Sequence, residues 1–141
     1  MILLDTTVLA YAVGGDHSLR EPCRRVLAAR RDGRIEAATT VEVVQEFTHI
    51  QSRRRSRAEA AALARDVAAS LTLLETSSAN LDLGLRLFEE HPALGMFDAM
   101  LAAVALDHGA DALISADTGF ATVPGLRWID PATPALDEVL R

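Results

Sequence analysis

The sequence predicts an α/β fold, a short central parallel β-sheet with helices packed on both faces. Two observations carry this prediction. Strand-like and helical segments alternate along the 141 residues, as strand–crossover–strand units require. The strand-like segments are also short continuous apolar runs, such as Met1-Ile2-Leu3-Leu4 and Ala112-Leu113-Ile114. A sheet wet on one side would instead alternate apolar and polar residues.

The elements follow in order. Met1 to Leu4 reads as a strand, Asp5-Thr6-Thr7 as a hydroxyl-bearing turn, and Val8 to Val13 as a short helix ended by Gly14-Gly15. From Ser18, Leu19, Cys23, Val26 and Leu27 recur at helical spacing, and Gly33 stops that helix. Ile35 to Ala38 is a weak strand, after which Thr39 or Thr40 caps a third helix. Val43, Val44, Phe47 and Ile50 give that helix an apolar face, while Glu42, Gln45, Glu46 and His49 share another. An arginine-rich stretch, Arg53-Arg54-Arg55-Ser56-Arg57, precedes an alanine-rich helix from Ala58 to Ser70 and a strand from Leu71 to Glu75. Ser77 or Ser78 caps a helix over 79–90, and Pro92 to Gly95 form a loop. Phe97 to His108 is apolar nearly all round and so predicts a buried helix. A strand to Ser115, a turn at Asp117-Thr118-Gly119 and a late strand over 126–129 close the pattern. No repeat, linker or low-complexity tract interrupts it, so residues 1–141 are expected to form one domain.

Composition narrows the function classes. Half the residues are hydrophobic and 24% charged, a folded rather than a disordered profile. Aromatics are only 4%, so Leu, Val, Ile and Ala must build the core. The single cysteine, Cys23, cannot form an internal disulfide and is expected to pack in the core. Neither a basic leader nor an apolar run of membrane-spanning length is present, which makes a soluble cytoplasmic protein the expectation. The net charge of −6 gives no general attraction for nucleic acid. The formal positive side-chain charge is all arginine, with no lysine, which excludes any mechanism that needs a lysine.

Four acids stand beside the apolar segments. Asp5 and Asp117 each follow a strand, and Glu46 and Asp98 lie near the starts of helices. In a parallel sheet, strand C-termini and the starts of the following helices share one edge, where ligands bind. Taken singly, an Asp after a strand is also an ordinary helix cap, and Glu46 an ordinary solvated residue. Jointly, the four form an all-oxygen donor set suited to Mg²⁺ or Mn²⁺ rather than zinc. A cation there would offset their repulsion, and a phosphodiester would complete its coordination.

The ordered pieces Leu3-Leu4-Asp5-Thr6-Thr7-Val8-Leu9, Thr40-Val41-Glu42-Val43-Val44-Gln45-Glu46-Phe47, Phe97-Asp98-Ala99-Met100-Leu101-Ala102-Ala103 and Leu113-Ile114-Ser115-Ala116-Asp117-Thr118-Gly119-Phe120 resemble the PIN-domain nucleases, specifically the VapC-type toxins of bacterial toxin–antitoxin pairs. With Pro124-Gly125-Leu126-Arg127-Trp128-Ile129-Asp130-Pro131, the resemblance spans the chain. It implies a PIN-like fold and a Mg²⁺-dependent endoribonuclease that cuts single-stranded regions of cellular RNA. It also implies a homodimer and a cognate antitoxin that blocks the site. Carried over by position, Asp5 and Asp98 would ligate the metal, Glu46 would orient it or its water, and Asp117 would act through water or a second ion. Thr6 or Thr7 and Ser115 would support those acids. Glu42 is an alternative to Glu46 one turn earlier, although the spacing from Thr40 favours Glu46.

Arg53, Arg54, Arg55 and Arg57 could grip RNA phosphates, or form a solvated helix end set favourably against the helix dipole. The Leu81, Leu85, Phe88 stripe reads as core or dimer contact, and Trp128 as packing rather than a base-stacking surface. Aspartyl-phosphate phosphatases and receiver domains share the strand–Asp design. They need a lysine, and the phosphatases a second acid where this chain has Thr7. A non-cutting PIN-like module that binds RNA or protein is the other alternative, marked in general by loss of an acid. A structure-specific DNA nuclease would carry more acids and extra segments.

Overall fold

β1 (Ile2–Leu4), β2 (Ala37–Thr40), β3 (Thr72–Leu74), β4 (Ala112–Ile114) and β5 (Trp128–Ile129) pair as one sheet in a computed structural model that describes residues 1–141. The order is β3-β2-β1-β4-β5 and every pairing is parallel. From β1 the chain steps outward through β2 to β3, then returns to place β4 on the other side of β1. The strand order therefore reverses between β1 and β4. Ile2 to Leu4 register against Ala112 to Ile114, so Asp5 and Ser115 leave the sheet side by side.

Leu3 and Leu4 point to opposite faces, and both are fully buried. Cover on both faces is why these strands read as unbroken apolar runs. Each such side chain contributes about 1.5–3 kcal/mol on burial. The cover comes from α1 (Thr6–Val13), α2 (Arg20–Arg31), α3 (Val41–Ser52), α4 (Arg57–Ser70), α5 (Ser78–Glu90), α6 (Met96–Asp107) and α7 (Ala135–Val139). Helix α1 packs on α2 and α3, α3 on α4, and α5 on α6. Cys23 lies within the core, where burial pushes its thiol up to about 12.

Side-chain caps set the helix starts. Asp5 caps α1 and Thr40 caps α3, accepting from Val43 N at 3.2 Å. Ser56 with Glu59, and Ser77 with Asn80, make reciprocal caps on α4 and α5.

Several elements differ from the sequence expectation. Helix α1 begins at Thr6 rather than Val8, because the Asp5 carboxylate caps the Thr7 amide and draws both threonines into the first turn. Strand β2 lies two residues later than expected, running through β-branched Thr39 and Thr40 up to the cap. Helix α6 is not buried all round: Phe97 is 76% exposed, and Asp107 and His108 face solvent. On α3, Gln51 rather than Ile50 is the buried end of the inner face. The short helix α7 had no counterpart in the sequence reading.

Candidate metal centre at the carboxyl edge of the sheet

The reversal between β1 and β4 opens a crevice at the strand C-termini, the usual ligand position in such sheets. Asp5 sits at its floor, only 3% exposed. Its Oδ2 accepts from Thr7 Oγ1 and Ser115 Oγ, each at 2.7 Å, and from Thr7 N at 3.3 Å. All three donors reach the same oxygen, which leaves Oδ1 for the crevice. The two hydroxyls are fixed in turn: Thr7 Oγ1 accepts from Ala116 N at 3.0 Å and Ser115 Oγ from Asp117 N at 2.9 Å. This network sews the β1–α1 junction to the loop after β4.

The other acids arrive from three further elements. Glu46, on α3, accepts from Thr6 Oγ1 at 2.5 Å through Oε2. Asp117 caps the 3₁₀ turn Thr118–Thr122, its Oδ1 accepting from Gly119 N at 2.8 Å. Asp98 lies half-buried in the first turn of α6. Its carboxyl is raised from an ordinary 3.8 to about 7, first by burial, then by repulsion from Asp5 and Asp117, then by a hydrogen bond to Asp117 and repulsion from Glu46. The same four acids, with Asp16, line one cavity of about 510 Å³, which also takes Arg54 and His17 into its wall.

A second cavity, about 260 Å³, opens from the same acids. Asp5, Glu46 and Asp98 line both cavities. The remaining walls of the second are apolar, from α3, α5 and α6, apart from Thr40, Glu42 and Thr76. Glu42 belongs here. Its Oε2 accepts from Thr76 Oγ1 at 3.0 Å, and it is absent from the groups that perturb Asp98.

The arrangement brings Asp5, Glu46, Asp98 and Asp117 together with Thr6, Thr7 and Ser115. It does not bring the arginine run together. Arg54 faces the acid cavity, Arg57 lines a separate shallow one beside His49, and Arg53 caps the end of α3. Arg55 straps α3 to α1, donating to Gln51 Oε1 at 3.2 Å and to the Val13 carbonyl at 3.3 Å. Sequence reasoning missed the rim pair Tyr11 and His17, which stack with centroids 4.4 Å apart on the acid cavity. Nothing in their spacing signals that contact. Trp128 donates from Nε1 to the Ser115 carbonyl at 2.9 Å, so its packing role extends to steadying the site.

The donor chemistry fits a hard divalent cation held loosely by protein. No three acidic or histidine side chains close on one point as a finished cage. Mg²⁺ does not need one, since it keeps several waters and takes one or two carboxylates plus phosphate oxygens. The uncommitted Oδ1 of Asp5 and the strained ionisation of Asp98 are what such an ion would relieve.

Comparison with known proteins agrees with the geometry. The PIN domain family matches residues 2–126. Ribonuclease VapC7 of Mycobacterium tuberculosis is 47% identical over 142 aligned positions, covering 99% of this chain and 98% of that one. VapBC2 from Rickettsia felis, solved bound to a DNA fragment from their promoter, superposes with a TM-score of 0.71 at 18% identity, over 92% of this chain and 98% of that one. Mycobacterium tuberculosis VapC20, a sarcin–ricin loop cleaving toxin, gives 0.71 at 16% identity over 90% and 99%. The chain therefore belongs to the PIN-domain family and, within it, to the VapC ribonucleases, which are divalent-metal-dependent hydrolases.

Proposed function

We propose that this protein is a Mg²⁺-dependent endoribonuclease toxin that cuts single-stranded regions of cellular RNA and is silenced by a cognate antitoxin. The observation that carries the reading is the facing of four carboxylates on one crevice at the strand reversal, with Asp98 held far above its ordinary pKa. Residues 1–141 act as one nuclease domain in the cytoplasm; no helix is long and apolar enough to cross a membrane. The antitoxin assignment draws on the solved relatives, which include a toxin–antitoxin complex from Klebsiella pneumoniae. Two copies of the chain pair through the exposed Leu85 and Phe88 on α5.

In this reading Asp5 and Asp98 would hold Mg²⁺, with Mn²⁺ as a substitute, and Asp117 would act through water or a second ion. The bound cation supplies an activated water and neutralises charge growing on the phosphate. The chain supplies orientation. Thr7 and Ser115 fix Asp5 through Oδ2. Thr6 holds Glu46 by Oε2, which leaves Oε1 free to align the attacking water and take its proton. Arg54, on the wall of the same cavity, draws the RNA backbone in.

Cleavage of an unstructured RNA with Mg²⁺ tests this, with Asp5→Asn and Asp98→Asn beside the wild type. Each variant is expected to lose about 100-fold or more in rate, and to relieve growth arrest on induction. Full activity in either would remove the metal-site assignment.

A further inference from the structure

We propose that the apolar cavity beside the acid cluster reads a base next to the scissile phosphate and prefers guanine, with Phe97 as its stacking surface and Glu42 as its reader. The proposal rests on the ribonuclease reading and names a determinant of its specificity. Position comes first. Asp5, Glu46 and Asp98 form the shared wall of the two cavities. A phosphate held at those acids leaves the neighbouring nucleotide at the mouth of the smaller one.

The walls suit a flat aromatic ligand. Phe97 directly precedes Asp98 in the first turn of α6, and it is the most exposed large hydrophobic side chain of the protein at 76%. In a chain with 4% aromatics, a ring left in water one residue from the acid cluster is uncompensated in the free protein. A stacked base covers it. Met96 and Met100 stand on the same wall, and their unbranched thioethers adapt to a ring face. At about 260 Å³ the space is below the ~300–1,000 Å³ range of drug-sized ligand sites, which suits one base rather than an extended ligand.

The polar groups supply the selection. Glu42 faces this space from α3, and Thr76 fixes its carboxylate from the β3–α5 loop at 3.0 Å. An ionised carboxylate only accepts. Guanine presents two parallel donors, N1–H and the N2 amino group, to its two oxygens, and hydrogen bonds to a charged acceptor are the stronger kind. Cytosine and adenine offer an amino group beside a ring acceptor. Uracil offers one N–H between two carbonyls that the carboxylate repels.

The test is cleavage, with Mg²⁺, of four unstructured oligonucleotides that differ only in the base beside the cut. The wild type is expected to favour guanine over uracil about tenfold or more. Phe97→Ala is expected to lower kcat/KM about tenfold, mainly through KM, while Phe97→Tyr keeps it. Glu42→Gln is expected to flatten the guanine preference, with kcat/KM on guanine falling about tenfold toward that on uracil. The same series is read by fluorescence anisotropy with Ca²⁺ in place of Mg²⁺, to hold the RNA uncut. Guanine-selective binding without cleavage by the wild type would sink the ribonuclease reading and keep the pocket. Cleavage with equal base use in wild type, Phe97→Ala and Glu42→Gln would overturn the pocket. So would a Phe97→Ala protein whose self-association in sedimentation falls while its base preference is unchanged, because the ring would then be covered by a second copy.

Discussion

A carboxylate has two oxygens, and this site depends on that. Asp5 and Asp117 are both helix caps, the ordinary role of an Asp after a strand, and each spends one oxygen on capping. The cap fixes the side chain and presents the second oxygen to the crevice, so the structural and functional roles reinforce each other. Asp98 shows the cost of burying one acid among three others. Its carboxyl stands at about 7 when folded, against an ordinary 3.8. Between those values the folded protein holds more protons than the unfolded chain, so stability falls as pH rises through that window. Urea unfolding of metal-free protein is therefore expected to show a midpoint that drops from about pH 4 to about pH 7. Asp98→Asn removes the slope, and millimolar Mg²⁺ restores stability at the upper end. A metal-free wild-type midpoint flat in pH would mean that burial and the neighbouring acids do not hold the Asp98 carboxyl above its ordinary value.

At the scale of elements, the site is held by the contact between the loop after β4 and the loop before α6. Gly119 makes that contact: a Cβ there would stand 2.5 Å from the Ala93 carbonyl oxygen. That oxygen is backbone and cannot swing aside. Gly119→Ala is thus expected to push the Asp117 turn away from the start of α6. RNA cleavage should fall at least about tenfold, while circular dichroism and the unfolding transition stay cooperative. Wild-type cleavage in that variant would show that the two loops need not touch. These junctions also mark what the sequence disclosed. β1 and β4 were legible because burial on both faces leaves unbroken apolar runs. The caps of α3 and α5 were legible to within one residue, since Thr39 with Thr40 and Ser77 with Ser78 offer adjacent hydroxyls, of which Thr40 and Ser77 do the capping. Other features were hidden for physical reasons. Periodicity cannot separate an apolar residue that faces core from one that faces a cavity, so Phe97 read as buried. Helix α7 has five residues, too few for a period to register. The arginine run gave charge without direction; only the turn geometry sends Arg54 to the acids and Arg55 to a backbone carbonyl.

For the whole molecule, net charge and surface pattern ask for partners. A protein of net charge −6 gains nothing from long-range attraction to RNA. In the proposed reading capture is therefore local, at Arg54 and a cation, and the acidic crevice suits blocking by a basic segment of another protein. The exposed apolar surface lies elsewhere. Leu81, Leu85 and Phe88 recur at helical spacing along α5 and are 45%, 45% and 46% exposed. Exposure rules out the core half of the sequence reading and leaves the dimer half. Leu81 also borders the smaller cavity, so a second copy seated on α5 would stand beside the proposed base pocket. Leu85 and Phe88 lie outside both cavities. Replacing these two by Glu places charge where a partner helix must pack, at a cost of several kcal/mol to association. Because both side chains are half in water already, the monomer should fold with its unfolding midpoint nearly unchanged. Sedimentation is expected to show the mass falling from two copies of 15.1 kDa to one. Cleavage by the resulting monomer should keep the wild-type base preference, since Phe97 and Glu42 are untouched. If the double variant instead sediments as a dimer, α5 is not the pairing face, and the stripe must meet a different partner.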